Sequence, residues 1–114
     1  MNADIHGLWP ALLMPFDADG KLDATRALAH AHHMLATGCD GVTLFGTTGE
    51  GPSLNLEERL AVIKTCLHER GTLRVIAGTG CANLPDTIIA SRQALEWGAE
   101  AAMVLPPFFF KNLD

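Results

Sequence analysis

Four short apolar runs recur along the chain, each followed by a polar or turn-forming stretch. Their length of about five to eight residues and their aliphatic, partly β-branched side chains are typical of buried strands. They cover residues 7–14, 41–45, 73–77 and 101–105. The pattern therefore predicts four strands, of which the first ends before Pro15 and the last before Pro106.

Between these runs lie longer stretches in which apolar side chains recur every three or four residues, a spacing that predicts helices with one buried face. We expect three helices: one at 24–37 capped by Asp23, one capped by Ser53 or Asn55, and one from Asn83 to Trp97. Their predicted apolar stripes are Leu28, Ala31, Met34 and Leu35, then Leu56, Leu60, Ile63 and Leu67, then Ile88, Ile89, Ala90, Ala94 and Leu95.

The order of these elements predicts an α/β fold. Strands that alternate with helices at a spacing of about 30 residues require parallel pairing through right-handed crossovers. Such a sheet closes into a (β/α)8 barrel or stays open as a doubly wound sheet, and the pattern alone allows both. In either case the loops that follow the strands meet at one edge, where ligands bind.

The loop after the second strand carries the most suggestive chemistry, because two glycines bracket two threonines there. We expect Gly46 and Gly49 to allow backbone angles that a side chain would forbid, so that the amides of Thr47 and Thr48 turn toward one point. Converging N–H groups bind anions, and the two hydroxyls add donors and acceptors for a small carboxylate or phosphate. A plain strand-to-helix turn is the alternative.

The composition is that of one ordinary globular unit, with 114 residues, a formal charge of −5, 48% hydrophobic and 18% charged residues. The eight basic residues are scattered, so we expect no nucleic-acid partner. No apolar run approaches the roughly 18 residues of a membrane span. The N-terminus lacks the regions of a secretory signal, and we therefore expect a cytoplasmic protein without membrane association.

The metal-binding residue types are also present, but not in a pattern that predicts a metal site. The three cysteines have no CxxC spacing and are odd in number, which argues against zinc and against a disulfide framework. His30, His32 and His33 fall on different faces of the first predicted helix. We interpret the histidines as surface residues and the cysteines as reduced and mostly structural.

Four motifs in a fixed order resemble the dihydrodipicolinate synthase / N-acetylneuraminate lyase family. They are ALLMPF at 11–16 with Asp19-Gly20, GTTGE at 46–50 followed by Gly51 and Glu58, AGTG at 77–80, and LPPFF at 105–109. The resemblance implies a (β/α)8 barrel, of which residues 1–114 would be the N-terminal part of a single domain. This part would hold the first four strands and three helices, truncated after strand four.

The resemblance also implies an activity. Members are class I lyases, in which a lysine on a later strand forms a Schiff base with pyruvate or a related 2-oxo acid, and a tyrosine shuttles protons. This chain has no tyrosine, and Lys21, Lys64 and Lys111 do not occupy the family's lysine position. Schiff-base chemistry needs no metal or other cofactor, since the protonated imine is the electron sink. Lys111 is not favoured as an imine former, because an exposed lysine lacks the desolvation that lowers its pKa.

By the same resemblance, Thr48 and its amide would hold the substrate carboxylate, while Thr47 would belong to a proton relay. The usual tyrosine position holds Phe109, which cannot pass a proton, so lysine biosynthesis is disfavoured. The usual threonine before Pro-Phe is Met14, and residues 81–86 depart from the common Asn-Ser-Thr-like pattern. These departures favour a branch that cleaves a sugar-derived 2-oxo acid.

Two functions of different classes follow from the sequence. One is a pyruvate-dependent lyase or aldolase of which this chain is a part. The other is a non-catalytic half barrel that associates with itself or with a missing half, because its first and fourth strands would expose unpaired edges. The apolar side chains of Phe108, Phe109 and Phe110 suit packing at a barrel rim or a subunit contact, and we expect a homo-oligomer.

Overall fold

The computed structural model describes residues 4–106, which form three helices and three strands. In chain order these are α1 (Ala24–Ala36), β1 (Val42–Leu44), α2 (Leu56–His68), β2 (Val75–Gly78), α3 (Leu84–Glu96) and β3 (Ala101–Met103), with a 3-10 turn at Gly51–Ser53 before α2. Among these residues no helix is long and apolar enough to cross a bilayer.

The three strands form one parallel sheet in the order β1-β2-β3, which confirms the predicted parallel α/β arrangement. The prediction of a full strand at 7–14 was wrong, since only a single bridge joins Ala11 to Thr43. The Leu12 N–H donates to the Thr43 carbonyl at 2.9 Å and the Thr43 N–H to the Pro10 carbonyl at 2.9 Å. Pro10 has no N–H of its own to donate, which limits the ladder at this point.

The helix starts follow the predicted capping chemistry. Asp23 caps α1 by accepting from the Arg26 N–H at 3.0 Å, and Asn83 caps α3 by accepting from the Asp86 N–H at 2.8 Å. For α2 the cap is Asn55 rather than Ser53, because Asn55 and Glu58 form a reciprocal capping box.

The buried faces of α2 and α3 differ from the predicted stripes. On α2 the buried residues are Arg59, Val62, Ile63, Cys66 and Leu67. On α3 only Thr87, Ala90 and Ala94 are buried. Three residues predicted to be on the apolar stripe of α3 are instead about half exposed: Ile88, Ile89 and Leu95. The described part of the chain therefore leaves an apolar flank on α3.

The core lies between the helices and one face of the sheet. Residues of all three helices pack there against Val42, Leu44, Val75 and Ala77, each with no exposed surface. The opposite face carries a row of register neighbours, namely Ala11, Thr43, Ile76 and Ala101. On this side Leu13 is 62% exposed, whereas its neighbours Leu12 and Met14 are buried. Within residues 4–106 this second face is only partly covered, since Thr43 is buried, Ile76 and Ala101 are half-buried and Ala11 is exposed.

The buried thiol of Cys66 is expected to make the fold less stable as the pH rises through the alkaline range. Burial, and secondarily the nearby Glu69 carboxylate, raise the pKa of this thiol to about 12 from an ordinary value of 9.0. Above pH 9 the unfolded chain loses the proton that the folded chain retains. The contribution of this thiol to the free energy of unfolding should therefore be fully present below pH 9. Above pH 9 the free energy of unfolding should fall by about 1.4 kcal/mol per pH unit.

Urea unfolding of residues 1–114 between pH 8.5 and 10.5 measures this effect, and these residues include no tyrosine whose ionisation would interfere in that range. Cys66→Val is the matched control, because it keeps an apolar side chain of similar size without a titrating proton. Equal slopes for the parent and for Cys66→Val would contradict the assignment.

Candidate active site

The loop between β1 and α2 forms a tight turn at the carboxyl end of the sheet. The Gly51 N–H donates to the Gly46 carbonyl at 3.2 Å and the Glu50 N–H to the Thr47 carbonyl at 3.0 Å. Gly46 and Gly49 are buried, whereas Thr47 and Thr48 are exposed. The turn therefore presents both threonines to solvent beside the strand ends.

The loop also contains two adjacent backbone amides, those of Thr47 and Thr48. Neither N–H donates to a protein acceptor within the part of the chain that the structure describes. Adjacent backbone N–H groups without intramolecular partners favour a bound anion, and the two exposed hydroxyls extend the set of donors. The arrangement suits a carboxylate or a phosphate of small size.

The backbone of this loop is strained at positions other than the two predicted glycines. The expectation that Gly46 and Gly49 adopt angles forbidden to side chains was wrong, because neither has a positive φ. The positive φ values belong to Phe45, at 60°, and Glu50, at 58°, which flank the loop. A bulky residue in this region stores about 1–3 kcal/mol, and such strain persists only where the surroundings enforce it.

Neighbouring glycines hold Phe45 in its strained conformation, because they allow other backbone segments to approach its carbonyl closely. A Cβ at Gly51 or at Gly78 would overlap the Phe45 carbonyl oxygen, so both residues press on the same group. A Cβ at Gly49 would lie 2.7 Å from the Leu12 carbonyl oxygen. The Phe45 carbonyl is thus enclosed from two sides, which holds the entry to the loop in one conformation.

The loops that follow β2 and β3 meet the first loop at the same edge. The Thr79 N–H donates to the Met103 carbonyl at 3.0 Å, and the buried Thr79 hydroxyl lies 2.6 Å from the Ser91 hydroxyl. A Cβ at Gly46 would lie 3.4 Å from the Met103 methyl group. The predicted convergence of the strand-end loops is therefore confirmed.

Arg59 is a buried residue near this edge that the sequence interpretation missed. Its side chain extends from α2 to the turn after β2, where Nη1 donates to the Gly80 carbonyl at 2.8 Å and to the Gly78 carbonyl at 3.4 Å. Burial lowers the pKa of the Arg59 guanidinium below its usual value. The sequence did carry one sign of this residue: Arg59 lies four residues before Ile63, and so a charged side chain falls on the apolar side of α2.

The other candidate groups lie elsewhere or outside the described residues. Lys64 lies over the Trp97 ring at 5.9 Å, and Lys21 lines a cavity of about 360 Å³ beside Asn55 and Glu58. Among residues 4–106 no three or more His, Cys, Asp or Glu side chains cluster as metal ligands do. Two further candidates from the sequence lie outside the described residues: Lys111, and the three phenylalanines at 108–110, which include Phe109.

A parallel sheet with helices on one face and polar loops at its carboxyl edge places the chain among the α/β proteins, and it is consistent with part of an α/β barrel. The Dihydrodipicolinate synthetase family model matches residues 4–113, and the chain belongs to that family.

Curated relatives and solved structures agree with this family. The chain is 42% identical over 113 residues to an uncharacterized DapA-like lyase of Chloroflexus aurantiacus, covering 98% of this chain and 38% of the relative. It is 37% identical to a 4-hydroxy-tetrahydrodipicolinate synthase of Corynebacterium diphtheriae, covering 89% of this chain and 34% of the relative.

Two solved structures superimpose closely on the described fold. One is a prophage protein of the dihydrodipicolinic acid synthase family from E. coli K12, in complex with pyruvate, with a TM-score of 0.88 and 32% identity; 96% of this chain and 37% of that chain are covered. The other is Proteus mirabilis N-acetylneuraminate lyase, with a TM-score of 0.87 and 36% identity; 95% of this chain and 37% of that chain are covered. This chain thus spans little more than a third of each relative, and its three-stranded sheet is consistent with part of a TIM barrel.

Proposed function

We propose that residues 1–114 are the N-terminal part of a single (β/α)8 barrel domain that acts as a pyruvate-dependent Schiff-base lyase. Residues 46–51 would form the subsite for the carboxylate of a 2-oxo acid. The observation that carries this proposal is the pair of exposed threonines whose amides have no acceptor among the described residues. Residues 1–114 joined to the remaining strands of the fold are called here the complete barrel.

The chemistry divides between this chain and the rest of the barrel. The imine-forming lysine and the relay tyrosine would come from later strands. This chain would contribute the Thr48 amide and hydroxyl, which hold the carboxylate, and the Thr47 hydroxyl, which moves protons to and from the substrate. Preorganised donors of this kind contribute about 3–4 kcal/mol each where water is excluded.

The substrate would be a 2-oxo acid that contains or releases pyruvate, with a sugar-derived chain favoured over the aldehyde of lysine biosynthesis. Phe109 in the usual tyrosine position supports this choice, because a phenyl ring has no exchangeable proton. The pyruvate in the E. coli prophage protein is in line with the proposed substrate class.

Thr48→Val in the complete barrel tests the carboxylate subsite. The replacement keeps the shape and the amide but removes one hydroxyl donor. We expect the Michaelis constant for the 2-oxo acid to rise by the ~1.5–3 kcal/mol of a hydrogen bond to a charged group, with turnover nearly unchanged. Steady-state kinetics over a range of 2-oxo acid concentrations measure the change.

The matched control is Thr37→Val. The Thr37 hydroxyl donates to the Met34 carbonyl at 2.8 Å, just beyond the end of α1, and therefore lies at the amino end of the sheet, opposite the loop. Both kinetic constants of this variant should stay within about twofold of the parent, as for a surface change away from the site. A parent-like Michaelis constant for Thr48→Val would show that the Thr48 hydroxyl does not bind the substrate carboxylate, and would contradict the proposed subsite.

For residues 1–114 by themselves, the sheet face that is partly exposed within residues 4–106 supports a second candidate function, a half barrel that pairs with itself or with a missing half. Leu13 is 62% exposed on that face, and within residues 4–106 β3 pairs on one side only. Exposed edges and apolar faces favour association.

We expect light scattering on the purified chain to show dimers or larger species. A stable, cooperatively folding monomer at micromolar concentration would exclude this pairing.

A further inference from the structure

We propose that Arg59 is a positioning residue for the carboxylate subsite. From α2 it holds the turn at Gly78 and Gly80 against Phe45, and thereby fixes the loop that presents Thr47 and Thr48. This inference rests on the proposed function, since it assigns the device that keeps the subsite in its binding geometry.

The burial of Arg59 is the first reason. The residue is 2% exposed, and no carboxylate forms an ion pair with it within residues 4–106. Its Nε is buried and has no hydrogen-bond partner in the part of the chain that the structure describes. A buried guanidinium without a counter-ion lowers stability, and an apolar side chain of similar volume is often as good or better for the fold. Core packing alone therefore does not account for an arginine here.

The acceptors of Arg59 are the second reason. Nη1 donates to the carbonyls of Gly80, at 2.8 Å, and Gly78, at 3.4 Å. Gly78 is the last residue of β2, and Gly80 lies in the loop that follows it. Both acceptors are backbone groups, so the cation constrains the path of the chain rather than the orientation of a side chain. The contact draws the end of β2 toward α2.

Gly78 transmits this constraint to the subsite. It packs so closely on the Phe45 carbonyl that a Cβ at Gly78 would overlap the oxygen. Phe45 has a φ of 60°, a conformation that a bulky residue leaves unless its neighbours prevent it. Gly46 and Thr47 follow directly, so the conformation of Phe45 determines where the amides of Thr47 and Thr48 lie.

The other end of the loop is tied to the same helix. The 3-10 turn at Gly51–Ser53 leads into the capping box of Asn55 and Glu58, one residue before Arg59. Helix α2 therefore holds the loop from both sides, through its own N-terminus and through the Arg59 contact with the β2 turn. Without the guanidinium, only one of the two attachments remains.

Arg59→Met and Arg59→Lys in the complete barrel test the inference. Methionine fills the space without donors, so we expect the midpoint of thermal unfolding to stay within about 3 °C of the parent or to rise. The Michaelis constant for the 2-oxo acid should rise about 10- to 100-fold, as for the loss of a supporting contact behind a ligand-binding group. Arg59→Lys retains one charged donor group and should give an intermediate Michaelis constant.

A merely structural role makes the opposite prediction. Arg59→Met would then lower the unfolding midpoint, and turnover would fall in proportion to the folded fraction while the Michaelis constant stayed within about threefold of the parent. That result would overturn the inference. If Arg59→Met does not fold, Arg59→Lys decides: a raised Michaelis constant with a parent-like midpoint supports the positioning role, and a parent-like Michaelis constant refutes it.

A double-mutant cycle with Thr48→Val separates this inference from the proposed function. If Arg59 acts through the loop, the two replacements together should raise the Michaelis constant by less than the product of the single effects. A null effect of Thr48→Val alone would refute the proposed subsite. A clear effect of Thr48→Val beside a null effect of Arg59→Met would leave the subsite in place and refute the role of Arg59.

Discussion

Replacing Thr47 by valine in the complete barrel is expected to lower turnover by roughly 10²–10⁴-fold, the range typical of general acid–base groups. Thr47 is exposed and precedes Thr48, whose amide has no acceptor among residues 4–106, so the proposed subsite would place the reacting carbonyl of a 2-oxo acid near the Thr47 hydroxyl. Valine retains the branched shape, so the loop should keep its conformation, and the Michaelis constant should change little. The difference from Thr48→Val, which should act mainly on the Michaelis constant, is the signature of two separate roles.

Single-turnover kinetics with the Thr47→Val enzyme measure the chemical step directly, free of product release. Thr43→Val serves as a control for stability rather than for chemistry, because the Thr43 hydroxyl donates to the Trp9 carbonyl at 3.2 Å below the loop. It should lower the unfolding midpoint and leave both kinetic constants within about threefold, as expected of a residue outside the site. If Thr47→Val and Thr48→Val both left activity near the parent value, the loop would be a turn and nothing more.

Replacing Gly78 by alanine should destabilise the fold by about 3 kcal/mol or more, at the upper end of what overpacking costs. The new Cβ would overlap the Phe45 carbonyl oxygen and lie 2.7 Å from its carbonyl carbon and 2.8 Å from the Leu44 carbonyl oxygen. All three are backbone atoms, which cannot move aside as the end of a side chain can. The sheet must therefore separate at β1 and β2, or Phe45 must leave its conformation.

Urea unfolding of the complete barrel measures the loss of stability, with Gly46→Ala as the matched control in the same region. A Cβ at Gly46 would meet only the Met103 methyl group, at 3.4 Å, and methionine adapts readily to such contacts. Gly46→Ala should change the free energy of unfolding by less than about 1 kcal/mol. Equal destabilisation by the two replacements would show that the contact with Phe45 is not the constraint.

The local features of this protein follow from short-range chemistry and were predictable from sequence. Asp23 and Asn83 cap helices as expected, because the side-chain oxygen of a cap residue needs only the amides a few residues ahead. The parallel sheet follows from the alternation of strands and helices. The position of Thr47 and Thr48 at the carboxyl edge follows from their place directly after a buried strand.

Other features depend on residues far apart in the chain. The strand predicted at 7–14 is reduced to a single bridge because this segment lies at the edge of the sheet, where only β1 offers partners among the described residues. The exposed apolar side chains of α3 reflect the absence of a covering element within residues 4–106. Periodicity marks a face as apolar, but only the neighbouring elements decide whether that face is covered.

The sequence by itself determined the class of fold, the family and the loop that carries the candidate site. Only the tertiary structure decided how that loop is held. Phe45 has a positive φ because Gly51 and Gly78 enclose its carbonyl, and Gly78 lies more than 30 residues further along the chain. Arg59 looks like an ordinary helix residue in sequence, and its hydrogen bonds depend on carbonyl groups at the end of β2 and in the loop just after it. Close backbone contacts and buried charges arise from the packing of distant segments, so no local pattern encodes them.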